Sequence, residues 1–300
     1  HYGEYPDVVT HLELARMIDG FGPTNGKIVR PSDRKPAKRI VFIQCVGSRD
    51  RRWNPYCSSI CCMISLKHAI LIKEAYPDTD ITICYIDIRA AGKGYEEYYK
   101  RAQTMGINFI RGRVAEVWED EETGDLIARV EDTVSGELIE LRVDLEVLAC
   151  PMIPSKGTKE VAKLLNLEMD EFGFIKPKHY KLAPVDTSRP GIFVCGAATG
   201  PKDIPDTVAT ASAAALRATM FLEGEPFEVY LIEKSPYLGG SAFKLARTFL
   251  VDEPLPDMLT PLFKEVSENP NVHLLLNSEV EEIKGHVGNF IVKGKQKPRY

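Results

Sequence analysis

The sequence predicts an α/β fold organised around a nucleotide-binding type of domain. Three observations carry that expectation. Short apolar strands alternate with amphipathic helices from residue 38 to about residue 120, a run with antiparallel character continues to Cys150, and a second strand-plus-helix block begins near Gly191. Strands joined by crossover helices build parallel sheets, and 300 residues suffice for one large or two ordinary domains.

Taken in order, residues 1–35 are rich in Gly and Pro around one helical stretch, HLELARMIDGF, and are expected to be a connecting arm. KRIVFIQCVG (38–47) is a short apolar run closed by glycine, the pattern of a buried strand. CCMISLKHAILIKEAYP (61–77) has helical spacing and stops at Pro77. ITICYIDIRA (81–90) is a second buried strand, YEEYYKRAQTMG (95–106) an amphipathic helix closed by Gly106, and INFIRGRVAEVWED a third strand unit. LIARVED and ELIELRVDLEVLAC complete a meander, so 36–150 is expected to be one Rossmann-like domain. Residues 151–190 give few signals. GIFVCGAA (191–198) reads as a strand, followed by the helix TVATASAAALRATMFLEG (207–224), with Asp206 as N-cap and Gly224 as its stop.

The last block, 225–300, opens with FEVYLIEK (227–234), a strand ending in an acid, then SPYLGG and a helix. This matches the second strand of a dinucleotide-binding unit, whose terminal Glu takes the adenosine ribose hydroxyls. Such a unit also needs a G-x-G-x-x-G turn about 20 residues earlier, and the sequence contains no G-x-G-x-x-G. The segments on either side of 224–228 are therefore expected not to be neighbours in the natural chain.

Bulk properties narrow the function. A formal net charge of -5 speaks against nucleic acid as a partner, because phosphate binding draws on Lys/Arg excess. No apolar run reaches the ~18 residues needed for a transmembrane segment. HYGEYPDVV lacks the order of a signal peptide, and a cytoplasmic location is expected. There, seven cysteines are not expected to form disulfides.

Four of those seven fall within 18 residues, as C-x11-C-x3-C-C: Cys45 at a strand end, and Cys57, Cys61 and Cys62 at the next helix start. Four thiolates suit a [4Fe–4S] cluster, and zinc is the alternative. The spacing matches neither a bacterial ferredoxin run nor a zinc ribbon, and small buried hydrophobes are the bland reading. The place is informative. In a dinucleotide-binding unit the turn after the first strand cradles pyrophosphate, and here that turn is CVGSRD, running on to YCSSICC. A metal group there would displace a nicotinamide cofactor. Asp87, at the position of a ribose acid, then reads as a solvated strand end. Cys84, Cys150 and Cys195 lie in apolar strands and read as core.

The stretches FIQCVGSRD, YCSSICCMISLKHA, GIFVCGAATGPKDIPDTVATASAAA and VYLIEKSPYLGG closely resemble the A-type subunit of heterodisulfide reductase and its relatives, including flavoprotein subunits of the quinone-interacting oxidoreductase complex. In that family a segment like 225–300 precedes one like 1–224. The resemblance implies a thioredoxin-reductase-like, two-nucleotide-domain fold that binds FAD, with a cluster-bearing Rossmann-like domain inserted. It makes Cys45, Cys57, Cys61 and Cys62 ligands of a [4Fe–4S] cluster and puts Lys67 beside the flavin ring, where a cation stabilises the reduced anion. It assigns 151–224 and 225–300 to the C-terminal and N-terminal-type parts of the FAD domain. Glu233 and Lys234 would lie at the adenosine ribose, Gly239 and Gly240 would pass close to the cofactor, and Val280 would touch adenine. Gly196, Asp203, Ile204, Thr207 and Val208 would form the second flavin segment. Many flavoproteins of this fold carry Asp where this chain has Ala197, which leaves the ribitol contact to Asp203.

The implied function is electron transfer, with electron bifurcation as a variant, beside other redox subunits of a multi-subunit complex. An NADPH-dependent disulfide reductase of the thioredoxin-reductase type is the enzymatic alternative; it requires a glycine-rich NADPH turn that the sequence lacks. A zinc-stabilised scaffold subunit is the non-enzymatic one.

Overall fold

A computed structural model describes residues 1–222, 228–239, 255–286 and 289–298. The chain divides into two compact units, with the boundary after Met152. Both mix helices and strands, as the sequence predicts.

The first unit is built on five parallel strands: β1 (Val8–Thr10), β2 (Arg39–Ile43), β3 (Asp80–Tyr85), β4 (Asn108–Arg111) and β8 (Leu145–Leu148), in the order β1-β8-β2-β3-β4. Three helices, α1 (His11–Ile18), α2 (Cys61–Ala75) and α3 (Tyr95–Thr104), cover one face. An antiparallel meander, β5 (Val114–Glu119), β6 (Leu126–Glu131) and β7 (Leu138–Val143), covers the other. Strand β2 shows how the two-residue period serves both layers. Ile40 and Phe42 pack with Leu66, Ala69 and Ile70 of α2. Val41 and Ile43 pack with Leu126, Ala128 and Val130 of β6.

Two expectations change here. The stretch 107–120 is two strands in two sheets, broken at Gly112. A Cβ at Gly112 would meet the Glu131 carbonyl oxygen at 2.0 Å, so the crossing of the layers requires glycine. Residues 1–35 are an integral part of the unit and not a connecting arm. β1 forms the sheet edge beside β8, and Leu14 of α1 is fully buried in the helix-side core. Thr10 starts α1 with a capping box to Glu13. Buried Asp7 accepts from Arg30 Nε at 3.2 Å and from Ser32 N and Oγ at 2.9 and 2.7 Å, which fixes the loop that follows. Gly/Pro content suggested a linker, but three strand residues and one face of a short helix anchor it to the core.

One carboxylate sits inside the sheet. Glu146 of β8 is 3% exposed, between Val8 and Val41 in register, and its Oε2 has no hydrogen-bond partner. Burial pushes its pKa up to about 7.

The second unit holds α4 (Thr158–Leu165), a 3-10 turn at Gly196–Thr199, α5 (Ile204–Phe221), the parallel pair β9 (Val229–Ile232) and β10 (Val272–Leu275) with α6 (Leu255–Glu268) between them in sequence, and the hairpin β11 (Ser278–His286) and β12 (Asn289–Gln296). The strand expected at 191–198 is absent. Phe193 makes an isolated bridge to Asp186, Val194 N bonds Val185 O at 2.8 Å, and the chain turns at Gly196. The N-cap of α5 is Asp203, not Asp206. Its carboxylate accepts from the Asp206 N–H at 2.9 Å, and Pro205 fits the first turn, where no N–H is needed. Gly224 lies outside the described residues. Cys195 is exposed and outside any strand, and Cys150 is half-buried, so of the three extra cysteines Cys84 alone is deep core.

Leu14→Ala should lower the unfolding free energy by about 2–5 kcal/mol in urea denaturation, the cost of an unfilled core site; a change near zero would mean that α1 is not part of the core. Glu146 has its folded pKa raised above the unfolded value. Its charged form therefore penalises the fold, and stability should fall as pH rises from about 4.5 to about 7 and then level. Glu146→Gln should flatten that slope and gain on the order of 3 kcal/mol at pH 8, read from denaturation midpoints across pH.

Candidate functional site

A parallel sheet presents the C-terminal ends of its strands on one edge, and loops there collect functional groups. β2 is the middle strand. Its ladder continues one residue beyond the strand, with Gln44 N bonding Cys84 O at 3.0 Å. Cys45 then turns the chain with φ 60, and Arg49 and Ser59 also take left-handed backbones, at φ 55 and 59. Non-glycine residues are strained in that conformation, so three of them in one short stretch mark a loop held by its surroundings. Arg49 N donates to Tyr56 O at 3.0 Å and Asn54 Nδ2 to Gly47 O at 2.8 Å. The hydroxyls of fully buried Ser48 and Ser58 lie 3.3 Å apart, and Ser58 Oγ accepts from Met152 N at 2.9 Å.

This loop delivers Cys57 to the start of α2, where Cys61 and Cys62 are the first two helical residues. Ile60 supplies no side-chain cap and the first turn holds no acid. The N–H groups and the positive end of the helix favour thiolates there. Cys45, Cys61 and Cys62 are buried and Cys57 is half-buried. Cys61 Sγ donates to Cys150 O at 3.6 Å and Cys62 Sγ to Asp87 O at 3.7 Å, while Cys57 Sγ accepts from Ser59 N at 3.3 Å.

The structure thus brings together all four cysteines that the sequence singled out. Burial raises the Cys45 thiol; Arg49 opposes the shift and the charge of Cys57 adds to it. Burial, then Cys62, Cys45 and Cys57, push Cys61 up to about 12. Burial, with Cys45 and Cys57 adding to it, pushes Cys62 to about 11. Among the described residues no three His, Cys, Asp or Glu side chains are arranged around a single ion. The four sulfurs nonetheless lie within reach of one another's charge. A cubane cluster binds each thiolate to a different iron, so its ligands stand wider apart than four around one zinc with ~2.3 Å bonds. The chemistry of the donor set, four thiols, fits the cluster.

Sequence reasoning missed Arg49. Its guanidinium bonds Asp87 Oδ2 at 2.6 Å and lies beside Cys45 and Cys57. Asp87 is therefore ion-paired, to Arg49 and to Arg89 at 3.2 Å, instead of a solvated strand end. Only the fold shows this, because 38 residues separate Arg49 from Asp87. Lys67 is half-buried on α2, next to buried His68.

In the second unit the remaining candidates form two groups. Gly196, at φ 61, packs against Thr207; a Cβ there would lie 3.1 Å from Thr207 Cγ2. Its N–H bonds Thr210 Oγ1 at 3.0 Å. Asp203 caps α5, and Ile204 and Val208 are exposed along its first turns. In the other group, Glu233 follows β9 and its carboxylate accepts from Ser235 N at 2.6 Å. Ser278 N bonds Glu233 O at 2.9 Å, Lys234 pairs with Glu279 at 3.1 Å, and Val280 pairs with Gly294 across the hairpin. Gly239 has φ 98, and Gly240 lies outside the described residues. One group is thus a capped helix start beside a glycine turn, the other an acid at the end of a parallel strand.

A stretch of 223 residues is 55% identical to a CoB–CoM heterodisulfide reductase iron-sulfur protein of type A from Methanopyrus kandleri, covering 74% of this chain and 34% of that protein. This chain belongs to the family of heterodisulfide reductase A-type subunits. The corresponding CoB–CoM heterodisulfide reductase iron-sulfur protein of Methanocaldococcus jannaschii is 53% identical over 233 residues, covering 77% of the chain and 36% of that relative. The chain spans about a third of the length of these curated relatives. No family model matches it. Among solved structures, the similarity to a T. acidophilum thioredoxin reductase covers 72% of this chain and 57% of that one, with 16% identity and a TM-score of 0.42. Among the described residues no helix is long and apolar enough to cross a membrane.

In the metal-free chain, iodoacetamide at pH 8 should modify half-exposed Cys57 and exposed Cys195 at least tenfold faster than Cys61 and Cys62, read by peptide mass spectrometry. Equal rates would show that the latter two thiols are not buried.

Proposed function

We propose that this chain is the electron-transfer core of a heterodisulfide-reductase-like oxidoreductase, holding a [4Fe–4S] cluster on Cys45, Cys57, Cys61 and Cys62 and contributing an FAD site from its second unit. One observation carries the reading. Four thiols from two segments meet at the C-terminal edge of a parallel sheet, where a dinucleotide-binding unit would place its pyrophosphate turn. The names of the relatives, iron-sulfur subunits of CoB–CoM heterodisulfide reductases, agree with that chemistry.

When bound, the two groups supply one-electron and two-electron transfer, respectively. The protein's part is to hold and tune them. The start of α2 stabilises thiolate ligands, the strained loop fixes Cys45 and Cys57, and buried Ser48 and Ser58 lock that loop to Met152. Burial favours the protonated form of Cys61 and Cys62, so iron binding there would release protons. Glu233 would take the ribose hydroxyls, with Lys234, Gly239, Gly240 and Val280 around the adenosine. Asp203, Ile204, Thr207, Val208 and Gly196 would form the flavin end, where the helix start favours negative charge. The role of Lys67 beside the flavin rests on the family resemblance. The first unit, residues 1–152, acts as the cluster-bearing domain, and the second supplies parts of the flavin domain. Redox partners in a larger complex, bifurcation and a cytoplasmic location belong to the same reading.

Anaerobic purification should give a yellow-brown protein with flavin bands and broad iron–sulfur absorbance. Cys57→Ser should remove one cluster's worth of iron and leave flavin content unchanged; unchanged iron would refute the ligand set, and a colourless protein with stoichiometric zinc would refute the function.

A further inference from the structure

We propose that Arg49 and Asp87 form a charge pair that sets the reduction potential of the cluster, with Arg49 stabilising the reduced state and Asp87 opposing it. The inference rests on the cluster reading above and goes beyond it, from which residues ligate to which residues tune.

The geometry spans the site. Arg49 belongs to the loop of Cys45 and Cys57, and its left-handed backbone is held by the bond from its N–H to Tyr56 O. Its side chain, 24% exposed, reaches Asp87 Oδ2 at 2.6 Å. Asp87 stands two residues beyond β3, and its own carbonyl accepts from Cys62 Sγ at 3.7 Å. The pair thus joins the loop that carries two ligands to the strand end that touches a third. The charge of the guanidinium acts on Cys45 and Cys57.

Other charges nearby are accounted for. Arg89 bonds the same Asp87 carboxylate but is 53% exposed, where solvent screens it. Arg113 lies near Cys45 but is paired with Asp50 at 3.7 Å. Arg49 is the less exposed of the two cations on Asp87 and the one carried by the loop of Cys45 and Cys57, while Arg89 meets Cys62 through its backbone. Each electron accepted from a reductant makes the anionic cluster and its thiolates more negative, so a fixed cation favours reduction and a fixed anion disfavours it. The pair also accounts for Asp87 itself: the position that would bind ribose in a dinucleotide unit is occupied by a guanidinium.

The test is a dithionite titration of the full chain, purified anaerobically and followed by electron paramagnetic resonance, with iron and sulfide measured on each sample. R49Q leaves Asp87 uncompensated and should lower the equilibrium constant for cluster reduction at least tenfold, a shift of about 59 mV to more negative potential for one electron. D87N leaves Arg49 unneutralised and should shift the potential the opposite way by a similar factor. R49Q/D87N should return close to wild type. A merely structural role would move both single variants in the same direction, and that result, or no shift with iron content intact, overturns the proposal. Should R49Q lose its cluster, D87N decides alone: a positive shift supports the pair, and a zero or negative one rejects it. Wild-type chain without iron would instead reject the cluster itself.

Discussion

The point at which β2 ends governs the rest of this structure. β2 is the middle of five parallel strands, so its backbone is fully committed to neighbours up to the bond between Gln44 N and Cys84 O. The chain must then leave the sheet within one residue, and it does so through Cys45 in a left-handed conformation. The edge it leaves from is shared by the end of β3, which leads to Asp87, and the end of β8, which leads to Cys150. A right-handed crossover brings α2 back with its N-terminus at that edge. The thiols of Cys45, Cys57, Cys61 and Cys62 meet for this topological reason, with the carbonyls of Asp87 and Cys150 already accepting from two of them.

Holding four thiols in one partly buried place is costly. Burial pushes Cys45, Cys61 and Cys62 up, and the neighbouring sulfurs add to it. The chain offsets that cost with an uncapped helix start, an arginine beside Cys45 and a sheet edge locked by buried serines. They reduce what a metal group must supply on binding, which is how a site can be preorganised without being charged.

The second unit is organised differently. No side chain of the 18-residue helix α5 is buried, and among the described residues β9 and β10 form a sheet of two strands. Val208, Leu216 and Met220 of α5 are exposed.

The sequence by itself determined the α/β class, the strand-helix alternation through residue 111 and the four cysteines as one set. Those features are local: a two-residue or 3.6-residue period, a helix stop at proline, thiols crowded within 18 positions. It misjudged residues 1–35, because turn composition says nothing about a distant strand, β8, that β1 can pair with. It expected a strand at 191–198, where the backbone found bonds to Val185 and Thr210 in place of a ladder. The partnership of Arg49 with Asp87 and the burial of Glu146 were decided by tertiary structure alone. Charges pair or become stranded according to which strand ends the topology brings together, and residue spacing carries no record of that.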